Sequence, residues 1–187
     1  MIALSSLEDI ERLYAARGDA RYGEDVTQTE HAVQCAALAQ AEGGSPSLVA
    51  AALLHDIGHL LALELAADHG VDGRHEGTGA RALRHLFGEA VRRPISLHVV
   101  AKRYLCFKEP DYHGALSAAS QASLELQGGI LDARRAANFE RTPYWREAVA
   151  LRRYDDMGKR TDLSCRPFAD FMPLLRASEA QSSVGGR

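Results

Sequence analysis

The chain has 187 residues, 46% of them hydrophobic and 25% charged, with a formal net charge of −3. That is enough chain for one domain with a sizeable core, and an ordinary globular composition. With no basic run, no stretch of about 18 apolar residues and no secretory leader, the expectation is a cytoplasmic protein with no nucleic-acid or membrane partner.

The predicted elements are helical from the start. SSLEDIERLYAARG carries Ser5 or Ser6 as N-cap, Glu8 and Asp9 in the first turn, and Gly18 at its end. Thr27 through Ala41 shows helical apolar spacing and is closed by Gly43-Gly44. Ser45-Pro46 starts a third helix, because proline at the first helical position lacks only an N–H that would be orphaned anyway. That helix is expected to run unbroken through LVAAALLHDIGHLL. After the connection ADHGVDGR come HEGTGARALRHLFG and EAVRRPISLHVVAKRYL, then GALSAASQASLEL, LDARRAANFE and YWREAVALRRYDD. Alternating β-branched runs are nearly absent, so the fold class is all-α. Residues 1–176 are read as a single domain and 177–187 as a flexible, small and polar tail. The three cysteines are scattered with no CxxC pair, and Cys35 is expected in core packing.

Histidine placement carries the functional reading. His55 and Asp56 stand side by side in the apolar run LLHDIGHLL, with His59 four residues on. An ionised aspartate buried there without compensation costs several kcal/mol, and a divalent cation would supply the compensation. An isolated His-Asp dipeptide more often marks a carboxylate paired with arginine and a core histidine. Here, however, His31 lies on the preceding helix, His75 begins the next one, His98 sits on the one after, and Asp156 ends a late helix. One ion with open positions needs about three or four protein ligands, so six donors suggest two metals bridged by a carboxylate. Nitrogen and oxygen donors without thiolate fit iron, manganese or zinc.

At His31, His55-Asp56 and Asp156 the chain resembles the HD-domain superfamily of metal-dependent phosphohydrolases. The stretches YGEDVTQTEHAVQCA, LLHDIGHL, LSAASQASLELQGG and YWREAVALRRYDDMGK resemble, more narrowly, the PhnZ-type HD-domain oxygenases of phosphonate breakdown. The resemblance implies an HD-domain helical bundle around a buried dinuclear site of two iron ions, Fe2+/Fe3+, with O2 as co-substrate. It implies cleavage of the carbon–phosphorus bond of 2-amino-1-hydroxyethylphosphonate or its N-trimethyl analogue, giving a carboxylate and phosphate. The family's ligands map onto His31, His55, Asp56, His75, His98 and Asp156, with Asp56 as bridge. Gln28, His59, Lys102, Ser120, Ser123 and Arg153 are the implied substrate contacts, and Tyr22 and Glu24 the implied gate over the O2 position.

Several of these make independent physical sense. Lys102 is one turn beyond His98, and Arg153 three residues before Asp156, so each places a cation beside a ligand. A phosphonate dianion needs such charge-assisted donors. No protein partner is implied, and His69, His85 and His113 have no assigned role. Two rivals remain open from the residues alone: a metal-dependent HD phosphohydrolase acting on a nucleotide or other phosphate ester, and a non-catalytic metal-binding module.

Overall fold

A computed structural model describes residues 4–21, 24–64 and 74–180. Among them the elements are helical, and the one strand-like feature is an isolated bridge between Phe87 and Glu179. The helices are α1 (Leu7–Arg17), α2 (Gln28–Ala41), α3 (Pro46–Leu54), α4 (Ile57–Glu64), α5 (His75–Ala82) and α6 (Glu89–Lys108), then α7 (Tyr112–Ala115), α8 (Ala118–Leu126), α9 (Ala133–Phe139), α10 (Trp145–Met157) and α11 (Met172–Ser178). This is the all-α bundle that the patterning predicts.

Caps set where the helices start. Ser6 caps α1 through a reciprocal box with Asp9, and Thr27 caps α2 through one with Glu30. Each box satisfies backbone donors that the helix itself leaves unpaired. Ser45 accepts from Leu48 N at 3.2 Å, and Pro46 occupies the first turn of α3 as expected.

α3 is buried on every side, from Leu48 to Leu54. A helix apolar all round belongs at the centre of a bundle, and burying each leucine stabilises the fold by about 1.5–3 kcal/mol. α2, α6, α10 and α11 pack around it. α6 is the other long support, with α10, α5 and α3 against it. A smaller aromatic cluster of Tyr104, Phe139 and Trp145 joins α6, α9 and α10.

The expected continuous helix through LLHDIGHLL is in fact two. α3 ends at Leu54, His55 and Asp56 form a turn, and α4 resumes at Ile57. Two polar side chains that must reach one place are freed from the fixed angular step of a helix. The first residues of the segment read as a tail are helical. Ala177 and Ser178 finish α11, Ala180 N donates to Leu86 O at 2.8 Å, and 181–187 lie outside the described residues.

Gly58 lets α4 and α5 meet. A Cβ there would stand 2.0 Å from His75 O and 2.9 Å from His75 Cα, both backbone atoms. Gly58→Ala must therefore push α5 away, at a cost of about 1–3 kcal/mol from overpacking. The expected result is a lower Tm together with metal loss at His75, read by thermal melting and metal analysis. An unchanged Tm would show that the helices separate freely.

Candidate metal centre

Three histidines in the centre are oriented by backbone carbonyls. His31 Nδ1 lies 2.8 Å from Gly158 O, His55 Nδ1 2.9 Å from Ala52 O, and His98 Nδ1 2.7 Å from Ile95 O. A carbonyl only accepts, so each Nδ1 carries the hydrogen and each Nε2 of the neutral ring is bare. The first of these contacts requires glycine at 158, where a Cβ would stand 2.5 Å from Cys35 Sγ.

These nitrogens and His75 Nε2 face one another in pairs. His31 Nε2 is 3.2 Å from His55 Nε2, and His75 Nε2 is 3.2 Å from His98 Nε2. Two lone pairs at that distance repel unless a proton or a metal lies between them. Donors bound about 2.1 Å from one ion stand about 3.0–3.4 Å apart at octahedral or tetrahedral angles, which is the spacing seen.

Asp56 lies between the pairs. Its Oδ2 is 3.8 Å from His31 Nε2 and 3.5 Å from His55 Nε2, while its Oδ1 is 3.4 Å from His75 Nε2 and 3.7 Å from His98 Nε2. Each carboxylate oxygen therefore serves one imidazole pair. Asp155 closes the first group, its Oδ1 3.4 Å from His31 Nε2 and its Oδ2 4.0 Å from His55 Nε2.

Protonation states favour cation binding. Burial, with His55 and His75 nearby, holds His98 down to about 3, and burial likewise keeps His55 below the usual histidine value. Burial opposes the charge on Asp56, but His55, His75 and His59 outweigh it, so the carboxyl stays well below its usual range. At Asp155 the same burial is outweighed first by Arg152 and then by His31. At His31 burial is outweighed by the neighbouring Asp155 carboxylate, which holds the ring well above the usual histidine value, so a proton competes with metal for that nitrogen. Cys35, one turn along α2, is itself raised by burial and donates to Tyr154 O at 3.4 Å. It packs against His31 as a protonated thiol, as its expected core role implies.

The late acidic residue differs from expectation. Asp156 bonds Tyr112 OH and Arg152, away from the histidines, and Asp155 takes the place expected of it. Arg153 shifts in the same way: it is 45% exposed and bonds Glu109 Oε1 at 2.5 Å. Arg152 is the buried guanidinium, donating to Asp155 Oδ2 at 2.7 Å, Ser120 Oγ at 3.2 Å and Asp156. The register on α10 is thus one residue earlier than predicted.

Three cations surround the same serine on α8. Lys102, buried on α6 one turn after His98, donates to Ser120 O at 3.2 Å and Ser123 Oγ at 2.7 Å. Lys159 Nζ is 3.2 Å from Ser120 Oγ and 3.8 Å from Asp155 Oδ1. Lys159 escaped sequence reasoning, although it lies one turn beyond Asp155.

Among the other expected contacts, His59 stacks on His75 with ring centroids 4.0 Å apart. Its ligand atom falls within one cluster with those of Asp56 and His75. Gln28 is buried in the first turn of α2, three residues before His31. Glu24 bonds Lys159 and Ser117, and Tyr22 lies outside the described residues. Of the histidines with no assigned role, His69 also lies outside them.

Four imidazoles and two carboxylates gather in one cluster that could hold metal, and a helical bundle carrying such a cluster at a His-Asp turn is the arrangement of an HD domain. The HD domain model matches residues 29–121. Over 145 residues the chain is 48% identical to hydroxymethylphosphonate dioxygenase of Gimesia maris, covering 76% of this chain and 72% of that protein. It is 39% identical over 173 residues to [1-hydroxy-2-(trimethylamino)ethyl]phosphonate dioxygenase (glycine-betaine-forming) of Leisingera caerulea, covering 91% and 88%. Uncharacterized protein L432 of Acanthamoeba polyphaga mimivirus is 31% identical over 177 residues, 92% of this chain and 81% of its own. The chain belongs to the PhnZ-type HD-domain oxygenases. No helix among the described residues is long and apolar enough to cross a membrane.

Proposed function

We propose that this protein is a di-iron oxygenase that cleaves the C–P bond of a small 1-hydroxyphosphonate. The observation that carries the dinuclear reading is Asp56, which offers one oxygen to each of two facing imidazole pairs. His31, His55 and Asp155 would hold one iron with Asp56 Oδ2, and His75 and His98 the other with Oδ1. The donor set fits iron, since imidazole and carboxylate without thiolate suit a non-haem centre. When bound, the iron pair supplies the O2 chemistry, with one O2 consumed per bond broken and carboxylate, phosphate and a proton formed.

The protein's own residues bind, orient and exclude water. Lys102 and Arg152 neutralise the phosphonate, Arg152 by a planar fork and Lys102 as a point charge. Ser120 and Ser123 order those cations and leave a hydroxyl for a phosphonate oxygen. Asp156 and Tyr112 hold Arg152 from behind, so its geometry is set before substrate arrives. His59, stacked on His75, fixes that ligand's plane and faces the same space, and Gln28 lies one turn from His31.

The two relatives named for an activity are both dioxygenases, so the phosphohydrolase alternative is not favoured. Metal analysis with EPR of aerobically handled protein tests the proposal. About two irons per chain and a mixed-valent signal that changes when a 1-hydroxyphosphonate is added are expected. Zinc or manganese alone, with no such signal and no O2 uptake, would overturn it.

A further inference from the structure

Tyr14 brings a hydroxyl to the place where α3 breaks. It lies on the buried face of α1 with Leu7, Ile10 and Leu13, its ring stacked on Phe168 with centroids 4.3 Å apart. A tyrosine in such a stripe packs as a core aromatic, but its hydroxyl still needs a partner there. That partner is Leu53 O at 2.9 Å, on a different helix. Burial, and then the charge of Asp56, push the hydroxyl well above the usual tyrosine value, so it remains a donor.

Leu53 O is one of the carbonyls that α3 does not satisfy by itself. A helix leaves its last four C=O groups without a donor of its own, and α3 ends at Leu54. In a helix running on through His55 and Asp56, Leu53 O would accept from Ile57 N. Ending the helix at Leu54 opens that carbonyl to another donor, and Tyr14 on α1 supplies one. Ala52 O, the carbonyl just before it, accepts from His55 Nδ1 at 2.9 Å. Two adjacent carbonyls in the last turn of α3 thus do different work: one orients a metal-facing imidazole, and the other ties that turn to α1.

We propose that Tyr14 is a positioning residue for the metal centre, its hydroxyl holding the end of α3 so that Ala52 O, His55 and Asp56 keep their places. The inference rests on the metal-centre reading above and on no step of the reaction. Tyr14 acts through the backbone that carries His55 and Asp56.

Metal affinity and thermal stability of the full chain, read side by side, test this apart from catalysis. Tyr14→Phe keeps the ring and its stack on Phe168 and loses the hydroxyl. Its Zn2+ affinity, measured by competition with a chromophoric chelator, is expected to fall about tenfold, the low end of what losing a group that supports a metal ligand costs. Phe168→Leu is the control, since it disturbs the same packing and keeps the hydroxyl. Its Tm should fall at least as far as that of Tyr14→Phe, while its Zn2+ affinity stays at the wild-type level. Wild-type affinity in Tyr14→Phe, or losses in both variants that follow their Tm, would overturn the inference, as would a wild type that binds no Zn2+. Zinc reads the site whichever metal the enzyme uses. Iron-loaded wild type that takes up no O2 with a 1-hydroxyphosphonate would sink the oxygenase reading and leave this assignment standing.

Discussion

Asp155→Asn is expected to lose metal, and Asp156→Asn to keep it. Asp155 reaches His31 Nε2 at 3.4 Å and His55 Nε2 at 4.0 Å, so its amide would remove an anionic donor from that group. Removing a group that stabilises charge at a reacting centre costs about 10²–10³-fold in rate, and a lost ligand should reach or exceed that. Asp156 acts only through Arg152 and Tyr112. Its amide should leave iron content at the wild-type level and lower kcat/KM by about 10- to 100-fold, the order expected for a misplaced orienting group. Metal analysis of both variants decides the point, with circular dichroism to show that each is folded. Iron loss in Asp156→Asn with full occupancy in Asp155→Asn would reverse the register on α10.

The neighbouring arginines should separate as sharply. Arg152 is buried among Asp155, Asp156, Ser120 and Tyr112, and its charge is held against burial by the two aspartates. Its outright removal would strand those carboxylates, at about 3–5 kcal/mol of stability. Arg152→Lys is the better probe, since it keeps the charge and loses the fork. It should lower kcat/KM by about 10- to 150-fold, the equivalent of one or two charge-assisted hydrogen bonds worth about 1.5–3 kcal/mol. Arg153 is exposed and paired with Glu109, an interaction of a kind worth about 0–1 kcal/mol. Arg153→Ala should change kcat/KM by less than about twofold. Steady-state O2 uptake against phosphonate concentration measures both. A large loss in Arg153→Ala with none in Arg152→Lys would contradict the placement.

These two contrasts mark where sequence reading stopped. The all-α class, the caps at Ser6, Thr27 and Ser45, and the union of His31, His55, Asp56, His75 and His98 were legible, because each rests on local spacing or on one unusual dipeptide. RRYDDMGK was harder, since it doubles both critical residue types. Counting forward in steps of four, Val149 leads to Arg153, whereas Ala148 leads to Arg152 and Leu151 to Asp155. Only packing decides which apolar set faces inward, and it is Ala148 and Leu151 that are fully buried. The break between α3 and α4 was hidden for a related reason. Apart from Gly58, LLHDIGHLL carries no residue that breaks a helix, and the turn at His55-Asp56 lies just before the close approach of α4 to α5 at Gly58. Lys159 was missed because it follows Gly158, beyond the helix whose periodicity would have marked it.

The most direct test of the central claim is the stoichiometry of phosphate release from hydroxymethylphosphonate by the iron-loaded protein, with dissolved O2 followed in the same vessel. One phosphate per O2 consumed, and none under argon, is the predicted result. Phosphate released at the same rate without O2, or O2 consumed with the C–P bond intact, would contradict it.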